Sequence, residues 1–182
     1  MRVKTVIDSY IEGFHAPFVK ELLTLVKAQD INCIGLIFPN QGPVGVVQLR
    51  GVLAERIAVP TVIIRINERL VRNQVWFERS DTAYPPLSPK SKVMLLGDAA
   101  TSGASIYCAA LIVRKFGAIC EHAFVVFDRL QGASERLDAK RIKLFSFIDR
   151  NFFESRGELN QSDISHDGKA SRFEFESVRA II

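Results

Sequence analysis

Val93-Met94-Leu95-Leu96-Gly97-Asp98-Ala99-Ala100-Thr101-Ser102-Gly103-Ala104-Ser105 decides how this 182-residue chain reads. Four apolar residues run straight into Gly97-Asp98, small and hydroxyl residues follow, and an amphipathic helical pattern begins at Ile106. The pattern predicts a buried strand ending in a tight loop, with backbone N–H groups and hydroxyls gathered at a helix start. Such a nest attracts phosphate, because unpaired amides and the helix dipole both favour negative charge. Asp98 would repel that phosphate. Its carboxylate suits sugar hydroxyls or a magnesium ion instead. A phosphorylated sugar satisfies both demands, whereas the plainer alternative is an ordinary strand-to-helix turn of an α/β protein. No Gly-x-x-x-x-Gly-Lys-Ser/Thr occurs, and no Gly-x-Gly-x-x-Gly follows a strand, so neither a Walker loop nor a dinucleotide fingerprint is present.

Outward from this stretch, strands and helices alternate. Cys33–Phe38 is short and wholly apolar, as a parallel strand buried on both faces should be. Before it, Phe18, Leu22, Leu25 and Val26 recur at helical spacing behind Pro17. After it come the turn cluster Pro39–Pro43, a helical spacing from Val44 to Ile57, and a strand over Pro60–Ile66. Asn67–Ser91 is a long charged connection carrying Pro85, Pro86 and Pro89, and connections of that length are usually functional or disordered. The strand Lys92–Leu96 follows, then a helix from about Gly103 to Phe116 with Gly117 at its C′ position. Ala118–Phe127 reads as a strand, Ser134–Arg141 as a short helix, Ile142–Ile148 as a strand, and Phe173–Val178 as a further edge strand. The expected fold is α/β: a parallel sheet flanked by helices on both faces, with a long mobile lid loop. Ligands of such folds sit at the carboxyl ends of the strands. Residues 1–150 would form the main domain and 151–182 a C-terminal tail.

Composition narrows the function. Hydrophobic residues make up 48% of the chain, enough for a proper core. Cys33, Cys108 and Cys120 lie in apolar stretches and are odd in number, which suits a reducing cytoplasm better than a disulfide framework. The opening MRVKTVIDSY has no apolar leader core, and no run approaches the roughly 18 apolar residues of a membrane span. The net charge of +4 is concentrated. Between Arg65 and Lys92, six basic residues face three acidic ones, a pattern for a small polyanion such as diphosphate rather than for nucleic acid. Cys120 and His122, two apart on a strand, should share a face, but two ligands do not make a zinc site.

Val93–Ser105 resembles the type I phosphoribosyltransferase motif of strand, two acidic residues, two small residues, a Thr-Thr-Gly-like turn and a further hydroxyl. Gly97 alone departs, standing where the first acidic residue belongs. The likeness runs from about Thr5 to Ile148 and is nearest to the orotate phosphoribosyltransferases. It implies transfer of ribose 5-phosphate from phosphoribosyl pyrophosphate to an orotate-like nucleobase, with release of pyrophosphate. Asp98 would be catalytic. Asp98, Ala99, Ala100, Thr101, Ser102, Gly103, Ala104 and Ser105 would hold the 5′-phosphate and ribose. Asn40, Gln41, Gly42 and Pro43, with Arg65 and Arg69, would hold the pyrophosphate. In Phe127-Asp128-Arg129, Arg129 would grip the base carboxylate, or else pair with Asp128 or Glu135. Mg²⁺ would ride on the phosphates rather than on protein ligands. The partners implied are phosphoribosyl pyrophosphate, a nucleobase or nucleotide, and a second copy of the chain, with no nucleic acid or membrane. Besides Gly97, the chain has Ile66 where the orotate enzymes have lysine, and Trp76 and Phe77 in place of their lysine- and histidine-bearing lid, and the family's register would leave no room for a leading helix. These departures support a second reading, a relative that binds phosphoribosyl pyrophosphate or a nucleotide as a sensor.

Overall fold

A computed structural model describes residues 17–39, 59–66, 76–79, 87–149 and 151–152. The apolar run at Cys33 becomes β1 (Cys33–Pro39), near the middle of one sheet. With it pair β2 (Thr61–Ile66), β3 (Trp76–Arg79), β4 (Lys92–Ala100), β5 (Ile119–Asp128) and β6 (Lys143–Asp149), in the order β3-β2-β1-β4-β5-β6. Five of these strands are mutually parallel, and β3 runs antiparallel to β2.

Alternate residues of each central strand serve opposite layers, as the pleat requires. Ile34, Leu36, Met94, Leu96, Phe124 and Val126 pack beneath α1 (residues 17–28), which contributes Phe18, Leu22 and Val26. Phe18 stacks on Phe124 with ring centroids 5.0 Å apart. Cys33, Ile37, Val93, Leu95 and Val125 pack on the other face with Ile106, Ala109, Ala110 and Val113 of α2 (Ala104–Lys115) and Leu137 of α3 (Ala133–Asp138). Helices therefore cover both faces.

Local chemistry explains the ends of α2. Gly103 enters it in the left-handed region, at φ 82°. Arg114 and Lys115 lie in its last turn, where the dipole favours cations, and Gly117 leaves it at φ 77°. The Arg114 guanidinium donates to the carbonyls of Cys120, Lys140 and Arg141, tying α2 to the start of β5 and to the α3–β6 turn.

Three expectations need correction. β4 does not stop at Leu96 but continues through Gly97, Asp98 and Ala99 to Ala100, because β5 runs beside it and pairs with Gly97, Ala99 and Ala100. The Asn67–Ser91 connection is not all loop, since Trp76–Arg79 adds β3 to the sheet edge. Cys120 and His122 do not share a face. Lys92 pairs with Ile119 but Met94 with His122, so β5 carries one extra residue and its alternation reverses there. Cys120 points into the α2 layer, whereas His122 stacks on Phe145 in the α1 layer at 6.1 Å. Residues 67–75 and 80–86 of the expected lid, Arg69 among them, the turn Asn40–Pro43, the helical stretch Val44–Ile57 and the strand Phe173–Val178 lie outside the described residues.

Two glycines separate by what a Cβ would meet. At Gly97 it would make ordinary contact, 3.5 Å from Val125 and 3.8 Å from Ile37. At Gly103 it would lie 3.0 Å from Leu137 Cγ, on a backbone at positive φ. Gly97→Ala should therefore stabilise the fold by about 0.5–1 kcal/mol, and Gly103→Ala should destabilise it by about 2–4 kcal/mol; urea unfolding of both variants checks the contrast. Burial pushes the thiol of Cys33 up to about 11 and that of Cys120 up to about 12. Both should resist iodoacetamide at pH 8 in the native protein and react once it is denatured, as peptide mass mapping would show.

Candidate active site at the sheet's switch point

The sheet opens along one seam. β1 and β4 pair from Cys33–Val93 to Leu36–Leu96 and no further. On either side pairing continues, to Pro39–Ile66 between β1 and β2 and to Ala100–Asp128 between β4 and β5. From this seam the chain winds outward in both directions, so the seam is the topological switch point, where ligands of open α/β sheets bind. Gly97 and Asp98 are the first β4 residues past the last pairing with β1. Gly97 is buried, and Asp98 is half-buried. Asp98 Oδ1 accepts the Ala99 N–H at 2.7 Å, while Oδ2 makes no hydrogen bond to a described residue.

Beyond β4 the chain turns through Thr101, Ser102 and Gly103 into α2. Ser102 is buried, and its hydroxyl accepts the Ala104 N–H at 3.2 Å. That hydroxyl shapes the turn. Gly103 provides no side-chain cap, and the first turn of α2 holds no acidic residue. The remaining amides at this helix start have no intrahelical acceptor, and an anion there would meet the positive end of the dipole. Thr101 is half-buried and Ser105 exposed at the mouth of this turn.

The loop after β5 lies alongside. The Arg129 N–H donates to the Ala100 carbonyl at 3.0 Å, joining the two strand ends. Asp128 is buried, and its Oδ1 accepts the Leu130 N–H at 2.9 Å. Burial raises the Asp128 carboxyl above its ordinary value; the Leu130 N–H opposes that rise, and Glu135 and Asp149 add to it. Arg129 makes no ion pair with Asp128 or Glu135 among the described residues. Its Nε and the Oε1 of Gln131 are buried with no hydrogen-bond partner, uncommon for native polar atoms and suited to a ligand.

Arg65 sits near the carboxyl end of β2, its backbone paired with Phe38 and Trp76. The strand ends thus bring together Asp98, Ala99, Ala100, Thr101, Ser102, Gly103, Ala104, Ser105 and Arg129. Asn40, Gln41, Gly42, Pro43 and Arg69 lie outside the described residues. Arg136, which bonds to the carbonyls of Ser102 and Gln131, escapes sequence reading. Its signal is faint: Gly132, four residues earlier, leaves a gap in which the guanidinium lies. No three His, Cys, Asp or Glu side chains among the described residues form a metal-holding group. No described helix is long and apolar enough to cross a membrane.

No family model matches the chain. Among curated proteins, it is 46% identical over 54 residues to the orotate phosphoribosyltransferase of Cenarchaeum symbiosum, covering 30% of this chain and 27% of that one. It is 26% identical over 125 residues to the enzyme of that name from Methanocaldococcus jannaschii, covering 68% and 63%. The chain therefore spans less than two thirds of the length of these relatives. Among solved structures, orotate phosphoribosyltransferase from Aeropyrum pernix superposes with a TM-score of 0.59 at 23% identity, over 82% of this chain and 81% of that one. The Mycobacterium tuberculosis enzyme in complex with phosphoribosyl pyrophosphate gives a TM-score of 0.52 at 19% identity, over 71% and 69%. A switch-point crevice, a glycine-led turn into α2 and this set of likenesses agree: the chain has the type I phosphoribosyltransferase fold, and its sequence likeness runs to the orotate members of that family.

Proposed function

We propose that the chain binds phosphoribosyl pyrophosphate across the β1–β4 crevice and transfers its ribose 5-phosphate to an orotate-like nucleobase. The observation that carries this reading is the placement of Asp98 at the crevice mouth, directly before the Gly103-led turn into α2. The curated relatives bear the orotate phosphoribosyltransferase name, and a fold neighbour was solved with phosphoribosyl pyrophosphate bound.

In this reading a ring nitrogen of the base attacks the ribose anomeric carbon as its bond to the diphosphate oxygen breaks. Positive charge builds on the sugar ring, as in glycoside cleavage, and negative charge leaves with pyrophosphate. The Asp98 carboxylate stabilises the first. Arg65 and Arg69, with the Asn40–Pro43 loop and the backbone N–H groups of its Asn40, Gln41 and Gly42, take the second. Ala99 to Ser105 hold the 5′-phosphate end, and Arg129 orients the base carboxylate through its planar fork. In the same reading Mg²⁺ would ride on the diphosphate oxygens rather than on protein ligands. When bound it neutralises phosphate charge. The same reading takes residues 1–150 as the working domain, a homodimer as the assembly and the cytoplasm as the place of action.

The test is pyrophosphate release by the full chain with Mg²⁺, phosphoribosyl pyrophosphate and, in turn, orotate, uracil, adenine and hypoxanthine. Turnover with orotate is the expected result. Calorimetric binding of the donor without turnover on any base would replace the transferase by a sensor, and no binding at all would remove both. Asp98→Asn keeps the acceptor for the Ala99 N–H but loses the charge, so kcat should fall about a hundredfold or more. Gly97→Asp supplies the acid of the family motif at a position where a Cβ makes ordinary contact, and turnover should rise; an unchanged or lower rate in a variant whose urea midpoint matches wild type would show that Gly97 is not limiting.

A further inference from the structure

We infer that Arg136 is a positioning residue that locks the phosphate-side turn and the base-side loop of the site into one element. The inference rests on the reading above. Arg136 Nη1 donates to the carbonyl of Ser102 at 3.2 Å and to that of Gln131 at 3.1 Å. One guanidinium thus spans residues 29 apart in sequence and bridges the turn that enters α2 to the loop that follows β5. Around it, α3 is fitted to both partners. Leu137, the next residue, lies against Gly103, where a Cβ would come within 3.0 Å of its Cγ. Gly132 leaves the space that the guanidinium fills, since a Cβ there would lie 3.0 Å from Arg136 Nη2. The Arg129 N–H on the Ala100 carbonyl closes the same junction from the other side.

What this clamp holds in place is chemically specific. Arg129 Nε is a buried donor and Gln131 Oε1 a buried acceptor, neither with a partner, in one short loop. Leu130 between them sits at φ 54°, rare for a bulky residue, and its N–H is held by Asp128 Oδ1 at 2.9 Å. The loop is therefore preorganised, and the free donor and acceptor match a planar ligand edge with an acceptor beside an N–H, as nucleobases present. Arg136 fixes that loop against the phosphate turn, so the edge is ready to take the base without first being ordered, and its contribution is to binding.

Arg136→Met and Arg136→Lys in the full chain test this by two independent readouts. In hydrogen exchange, the Met variant should exchange the Arg129 and Ala104 amides together, about tenfold faster than wild type. Amides of α1 serve as the unaffected control, and the Lys variant, which still donates, should stay near wild type. Acceleration of the Arg129 amide alone, or of neither, overturns the clamp. In kinetics, KM for the accepting base should rise about tenfold in the Met variant, with kcat changed less than about threefold, and Lys should recover most of the loss. An unchanged KM in a folded Met variant overturns the positioning role. Should wild type bind neither donor nor base, the transferase reading fails by itself, and the exchange experiment alone still decides whether Arg136 couples the two segments.

Discussion

The extent of pairing between β1 and β4 governs the rest of the molecule. Parallel strands satisfy each other's backbone groups only as far as both run side by side, and here the ladder ends at Leu36 and Leu96. At its other end it is firmly closed. Asn32 accepts the Lys92 N–H and donates to the Lys90 carbonyl, and Asp30 pairs with Lys92. A seam closed at the amino ends and unpaired at the carboxyl ends leaves the β4 backbone without a β1 partner beyond Leu96. Buried backbone groups demand partners, so such an opening is stable where solvent or a ligand can supply them.

A second constraint comes from the few polar side chains taken into the core. Ser102 and Asp128 are both buried and both border the crevice. Each is satisfied in the same manner, its side-chain oxygen accepting the backbone N–H two residues on, Ala104 for one and Leu130 for the other. This i to i+2 bond turns the chain sharply with a short side chain. The two loops of the site are thus shaped by one device, at the ends of adjacent strands, and Arg136 bonds to both.

The fold was legible because its strands are short, apolar and bounded by turn residues, which periodicity detects well. β1, β2, β5 and β6 fall within a residue or two of their sequence readings. The end of β4 was not legible. Gly97, Asp98, Ala99 and Ala100 have loop-like composition, and only the neighbouring β5 holds them extended. The bulge between Ile119 and His122 was hidden for a related reason, since an extra residue shows in pairing and not in composition. The turn after Asp98 could be placed from the sequence, because small and hydroxyl residues between an apolar run and a helical spacing mark a strand-to-helix connection. Arg136 could not. Its bonds go to backbone carbonyls, which carry no residue identity.

The seam also bears on how the molecule assembles itself. Cys33 to Leu36 meet Val93 to Leu96 across about sixty intervening residues, whereas β4, α2, β5, α3 and β6 follow one another through short connections. Contacts distant along the polymer cost more loop entropy before they return any energy. The half from Lys92 to Asp149 can therefore condense from near-neighbour contacts, with β1 docking afterwards against a preformed edge. The crevice is then the last part of the architecture to acquire its walls.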